Sequence, residues 1–234
     1  MQLSEDAAAG LPSGAWLLRL LAPAAGWCEF ERLYRYFRWA DDVVDAPGRD
    51  PAAVRRFLDA QRALLAAERE AEAPPERGLA AALAHDPAVR EVALPMLEAL
   101  AFDASRPPGP TPAALVRAQA VRVGDAYLLA LWRCFGAVGA PPPGLAELAR
   151  AACLMHLLRD RHIDRALGYE NRPPLPSGEP QADEDWVREL SAEAAAGFAR
   201  GRACLPAVRG WRLRFVLALQ AWRYARIDAS RPRA

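Results

Sequence analysis

The breaks in this chain constrain its fold more than any other feature. Prolines and glycines gather at Pro47, Gly48 and Pro51, at Pro74 and Pro75, across 106–112, across 141–144 and through 171–185. Between these breaks apolar residues recur at helical spacing, and alternating strand patterns are nearly absent. The spacing predicts helices over 29–44, 52–72, 79–83, 89–102 (with Pro95 as a kink), 113–135 and 145–166, and one or two more over 186–227. The expected fold class is therefore all-α. The breaks link helices of one bundle more readily than separate domains, so a single domain over 1–234 is expected.

Composition narrows the chemistry. With 234 residues and 53% hydrophobic content, one sizeable core is within reach. A formal net charge of +1 gives no strong pull toward nucleic acid, and none is expected as a partner. All the basic residues are arginine apart from three histidines, so Schiff-base and lysine-nucleophile chemistry is excluded. Cys28, Cys134, Cys153 and Cys204 form no C-x-x-C pair, which points to reduced, mostly buried thiols. The start, Met1 to Gly10, is acidic and lacks the basic region of a signal peptide. The apolar stretches from Ala15 and Ala126 are interrupted by Arg19 and Arg133, short of a spanning helix. A cytoplasmic protein with at most loose peripheral membrane contact is the expectation.

Two acidic clusters carry the functional signal. In Arg38-Trp-Ala-Asp41-Asp42-Val-Val-Asp45, Asp41 and Asp45 lie one helical turn apart, on the face that also carries Phe30, Leu33, Tyr34 and Phe37. In Leu157-Leu-Arg159-Asp160-Arg-His-Ile-Asp164 the same Asp-x-x-x-Asp spacing recurs, and Cys153, Leu157, Asp160 and Asp164 share a face. Like charges at this spacing repel, and an inward-facing carboxylate is costly without a cation or hydrogen bonds. Hard oxygen ligands suit Mg²⁺, which keeps waters and is shared with phosphates. The competing reading is a solvated helix face with ordinary Arg–Asp pairs.

The run Tyr34-Arg-Tyr-Phe-Arg38-Trp-Ala40-Asp41-Asp42-Val-Val-Asp45 resembles the first aspartate-rich motif of the squalene/phytoene synthase family. Leu157-Leu158-Arg159-Asp160-x-x-x-Asp164, with Gly168 following, resembles the second. Val123-Gly124, Asp103, Leu205-Pro206 and the stretch from Ala218 to Ile227 extend the resemblance over most of the chain. It implies an isoprenoid synthase-like helical bundle with a central cavity. It also implies Mg²⁺ on Asp41, Asp42, Asp45, Asp160 and Asp164, and a prenyl diphosphate met by Arg38 and Arg159. Tyr34, Phe37, Tyr127, Trp132, Phe215 and Trp222 are candidate walls for a carbocation pocket, or simply core aromatics.

The chain departs from the family pattern on the acceptor side. No Tyr stands in 115–124, Tyr127 follows one turn later, and Cys153 and His156 occupy positions where the family favours Gln and Asn. The expected activity is therefore transfer of a prenyl group to a small non-isoprenoid acceptor, with His156, Tyr34 and Tyr127 as catalytic candidates and His156 as the base. Head-to-head condensation of two prenyl diphosphates and a non-catalytic assembly module are the alternatives. The expected state is a monomer or homodimer.

Overall fold

The computed structural model describes residues 15–46, 48, 50–166, 168–174 and 180–227. The acidic start, Pro47 and part of the 171–185 break lie outside the described residues. What is described is almost entirely helical. It forms two compact units, one from residues up to Arg106 together with Arg133–Gly136, the other from Pro107–Trp132 and the residues after Gly136.

The first unit contains α1 (Ala15–Leu21), α2 (Ala24–Val44), α3 (Pro51–Leu65), α4 (Pro74–His85) and α5 (Arg90–Ser105). Helix α2 packs against α4 and α5, and α3 packs on α5. The Pro51 break works as a helix start: Asp50 caps α3, its carboxylate accepting from the Ala52 and Ala53 N–H groups at 2.9 and 3.2 Å. The core is drawn from Phe30, Leu33 and Val44 of α2 with Leu58, Leu79 and Leu97. A buried polar chain runs through it. The Tyr36 hydroxyl donates to Gln61 Oε1 (3.0 Å), and Gln61 Nε2 donates to Glu76 (2.8 Å). Glu76 also accepts from the Glu72 and Ala73 N–H groups and pairs with Arg69. Every link is satisfied, which is the condition for a polar network to sit in a core. Arg133 adds a bridge, donating to Glu29 and Asp86 at 2.9 Å each.

Helix α3 stops at Leu65, not at 72 as the apolar spacing predicts. The Glu68 N–H reaches back to the Ala63 carbonyl (2.8 Å), the Ala67 N–H to that of Leu64 (3.1 Å), and Ala67 takes φ +61°. This is a Schellman closure with alanine at the left-handed position that normally belongs to glycine. Ala67→Gly is therefore expected to stabilise the protein by about 1 kcal/mol, read as a rise of about 2–3 °C in melting temperature. An unchanged or lower melting temperature would contradict this account of the helix end.

The second unit contains β1 (Gly109–Pro110), α6 (Ala113–Cys134, its last residues counted with the first unit), α7 (Ala146–Ala166), β2 (Tyr169–Glu170), α8 (Pro180–Cys204) and α9 (Trp211–Tyr224). Its closest helix pair is α7 and α8. Gly201 permits the approach: a Cβ there would fall 2.5 Å from Leu148 Cγ and 2.9 Å from its backbone nitrogen. The sequence reading placed 171–185 wholly in a loop, but α8 already starts at Pro180, with proline at the first helical position. The break at Leu205-Pro206 splits the last helical stretch in two. Two-residue strands, absent from the sequence expectation, pair Gly109 with Tyr169 and Pro110 with Glu170 in parallel. Among the described residues no helix is long and apolar enough to cross a membrane.

Candidate active site

The first acidic cluster stands at the C-terminal end of α2. The inner line of this helix is Trp27, Phe30, Leu33, Tyr36, Ala40 and Val44. Tyr34, Phe37 and Asp41 flank that line half-buried, and Asp42 and Asp45 are exposed. The expectation that the acids continue the buried stripe is thus corrected by part of a turn. Tyr36 and Ala40, not Tyr34 and Phe37, are what the core takes in, because Gln61 offers the Tyr36 hydroxyl a partner inside.

Asp45 closes α2, its N–H bonded to the Asp41 carbonyl at 2.8 Å. Arg38 straddles the first two acids, with Nη1 3.2 Å from Asp41 Oδ2 and Nη2 2.6 Å from Asp42 Oδ1. Asp103, on α5, adds its negative field to the same place. Asp103 itself pairs with Arg106 at 3.5 Å. Burial first, then the charge of Asp45, pushes the Asp41 carboxyl up to about 6 against the pull of Arg38, with Asp42 and Asp103 adding to the rise. Among the described residues no three His, Cys, Asp or Glu side chains come together as a ready-made metal cage. The carboxylate oxygens of Asp41 and its neighbours fit a cation that takes one or two carboxylates and keeps its waters, as Mg²⁺ does.

The second cluster is built differently. Asp160 is held in a fork by Arg159, Nε to Oδ1 at 2.7 Å and Nη2 to Oδ2 at 2.8 Å. Burial works against this charge, but the hydrogen bonds from Arg159, with the nearby His156, outweigh it and hold the carboxyl well below the usual range. Asp164 accepts from Asn171 Nδ2 at 2.6 Å. The chain can double back to do this because Gly168 ends α7 at φ +87°, a conformation glycine adopts at no steric cost, and β2 then carries Asn171 home. Asp160 thus meets a full guanidinium fork, whereas Arg38 divides itself between Asp41 and Asp42.

His156 sits in the same chain of contacts. Arg159 Nη2 lies 2.7 Å from Nδ1, and Tyr224 Oη lies 2.8 Å from Nε2. A guanidinium only donates, so Nδ1 accepts. A neutral ring then carries its proton on Nε2 and donates it to the Tyr224 oxygen. Both ring nitrogens are thereby engaged. Tyr224, on α9 and 68 residues away, is a site residue that the sequence reading missed; no periodicity links it to His156. Tyr127 Oη accepts from Gln220 Nε2 at 2.8 Å, so α9 touches two of the predicted residues. Burial pushes the Cys153 thiol up to about 12, which makes it an inert neighbour rather than a nucleophile. Of the remaining aromatic candidates, Trp132 is buried and donates Nε1–H to the Gly139 carbonyl, whereas Phe215 and Trp222 are exposed. The free cysteines are also less buried than expected, since Cys28 is exposed.

Comparison with known proteins agrees with this architecture. A family model described as squalene/phytoene synthase matches residues 30–179. The fold is similar to the crystal structure of squalene synthase HpnC from Alicyclobacillus acidocaldarius, with TM-score 0.69 and 22% identity over 93% of this chain and 89% of that one. It is also similar to a dehydrosqualene synthase crystallised in complex with ligand, with TM-score 0.70 and 17% identity over 92% of this chain and 79% of that one. No curated protein sequence matches. At these identities the likeness to solved structures establishes the fold: all-α and isoprenoid synthase-like.

Proposed function

The chain belongs to the squalene/phytoene synthase family, whose members are prenyltransferase-type enzymes using prenyl diphosphates, and from that premise we propose that it ionises one allylic prenyl diphosphate per turnover and transfers the prenyl group to a non-isoprenoid acceptor, as a single Mg²⁺-dependent catalytic domain. The observation that carries this reading is the inequality of the two acidic pairs. Burial and the charges of Asp45, Asp42 and Asp103 push the Asp41 carboxyl up against the pull of Arg38, which divides itself between Asp41 and Asp42. Asp160 is already matched by the Arg159 fork and Asp164 by Asn171. The raised Asp41 carboxyl would gain from a cation, whereas Asp160 already has its counter-ion in place. Two diphosphates would need cationic and polar contacts in both regions, because phosphate charge cannot be left unpaired in a dry site.

In this mechanism Asp41 and Asp45, with Asp42 beside them, would hold Mg²⁺. Bound there, the ion supplies Lewis-acid neutralisation of the charge that grows on a departing diphosphate. Arg38 has a planar fork suited to phosphate oxygens and is half-exposed beside those acids. The allylic cation left behind needs walls that exclude water, and the half-buried Tyr34 and Phe37 are aromatic faces at the border of the same helix line. Deprotonation of the acceptor would fall to His156, acting once Arg159 releases Nδ1.

Head-to-head condensation is the second reading, favoured by the two solved structures named as squalene and dehydrosqualene synthases. Product analysis separates the two. The purified protein, given one prenyl diphosphate and Mg²⁺, is expected to release diphosphate slowly and to form a prenylated adduct only when an aromatic or other small nucleophile is added. A C30 or C40 hydrocarbon, or its cyclopropyl diphosphate, made from the prenyl diphosphate alone would overturn the acceptor proposal in favour of condensation.

A further inference from the structure

Helix α9 has two faces. Its inner face buries Leu213, Val216, Leu217 and Ala221 and turns Gln220 and Tyr224 toward Tyr127 and His156. Its outer face exposes Trp211 (61%), Phe215 (48%) and Trp222 (51%). At 100° per residue these three fall within an arc of roughly 40°, a continuous aromatic stripe along the helix. Arginines border it on both sides. The Arg226 guanidinium lies 4.1 Å over the Trp222 ring and that of Arg212 5.7 Å over Trp211.

The charge of this face is one-sided. From Leu205 to Ile227 there are five arginines (Arg209, Arg212, Arg214, Arg223 and Arg226) and no Asp or Glu. By contrast, Arg117, Arg133 and Arg150 each pair with two carboxylates. Among the described residues Arg209, Arg212, Arg214 and Arg226 make no such pair.

We propose that the outer face of α9 is a docking surface for a bilayer containing anionic phospholipid, with Trp211, Phe215 and Trp222 seated at the headgroup level and the flanking arginines on lipid phosphates. Charge complementarity and side-chain type select this occupant. Tryptophan favours the boundary where one end is apolar and the other wet, phenylalanine adds apolar area beneath it, and arginine stems cover apolar surface while their heads stay with phosphate. An amphipathic helix lying in the membrane plane has this composition. A nucleic-acid backbone would satisfy the arginines and leave the aromatic stripe in water. A second copy of the same face would set five arginines against five.

Co-sedimentation of the full chain with vesicles tests this. Binding is expected to vesicles of phosphatidylcholine mixed with phosphatidylglycerol and not to phosphatidylcholine alone, with a blue shift in tryptophan fluorescence and weakening by salt. Arg212→Gln with Arg214→Gln should lower partitioning about thirtyfold. Trp211→Ser with Trp222→Ser should remove most of it, with helix content by circular dichroism unchanged because these side chains lie outside the core. The proposal is overturned if the folded wild type ignores anionic vesicles, or if the variants bind them as well as wild type does. It is equally overturned if the wild type is a dimer that the aromatic variant converts to a monomer, or if RNA captures the protein through these residues and vesicles fail to compete. None of these outcomes depends on catalytic turnover.

Discussion

Asp41→Asn is expected to lower prenyl-transfer activity on the order of a hundredfold to a thousandfold, while leaving the metal-free protein as stable as wild type or more so. The two halves of this expectation have one cause. In the folded, metal-free protein, burial and the neighbouring acids hold the Asp41 carboxyl near 6, against an ordinary value of 3.8. A carboxyl raised on folding destabilises the native state wherever it must be ionised, which is fully the case above about pH 6. The penalty is relieved as pH falls from there toward 3.8. The side chain is 40% exposed, so solvent screening trims the penalty to about 1 kcal/mol. Relative to Asp41→Asn, the wild type should therefore gain stability between pH 7 and pH 5. Added Mg²⁺ should raise the wild-type melting temperature at pH 7, more than at pH 5, and should do little for the variant. Full activity in Asp41→Asn, or equal Mg²⁺ stabilisation of both proteins, would show that the cluster is a solvated helix face and not a metal site.

Local features of the sequence were legible and distant pairings were not. The Asp-x-x-x-Asp spacings and the Arg before each are contiguous, so both clusters can be found without knowing the fold. Which carboxylate is matched cannot be found that way. Arg159 adjoins Asp160 and Arg38 lies three residues before Asp41, yet one arginine makes a two-point fork and the other divides itself between two acids. Helices α6 and α7, and the end of α2, emerged close to their predicted bounds because proline or glycine breaks follow them and long apolar stripes run through them, whereas α2 starts at Ala24, five residues before the expected 29. The end of α3 was overrun because the closing residue is Ala67, which gives no glycine signal. The buried line of α2 was misplaced because Tyr34 and Tyr36 are chemically equal. Only Gln61, 25 residues on, decides which one enters the core. The strands β1 and β2 are two residues each, too short for any alternation to register.

The opposite electrostatics of the second cluster lead to an opposite expectation. Removing Asp41 should cost no stability, but Arg159→Met should cost about 1–3 kcal/mol, because it takes the two-point guanidinium fork from the largely covered Asp160 carboxylate and the donor from His156 Nδ1. The Asp160 carboxyl is held below its ordinary 3.8 by Arg159 and His156 against the effect of burial. Its stabilisation is thus fully present above about pH 4 and fades as the pH falls through the lowered folded value. The stability gap between wild type and Asp160→Asn should accordingly close under acid, the reverse of the Asp41 trend. The double variant Arg159→Met with Asp160→Asn should be more stable than Arg159→Met alone, since no charge is left unpaired. Mg²⁺ then reports whether Asp160 is also a ligand. If it is, Arg159 competes with the metal for the same two oxygens, and Arg159→Met should show a larger Mg²⁺-induced rise in melting temperature than wild type. That gain should vanish in the double variant. An Arg159→Met protein that is as stable as wild type and indifferent to Mg²⁺ would mean that the fork contributes nothing and that the metal belongs to the first cluster alone.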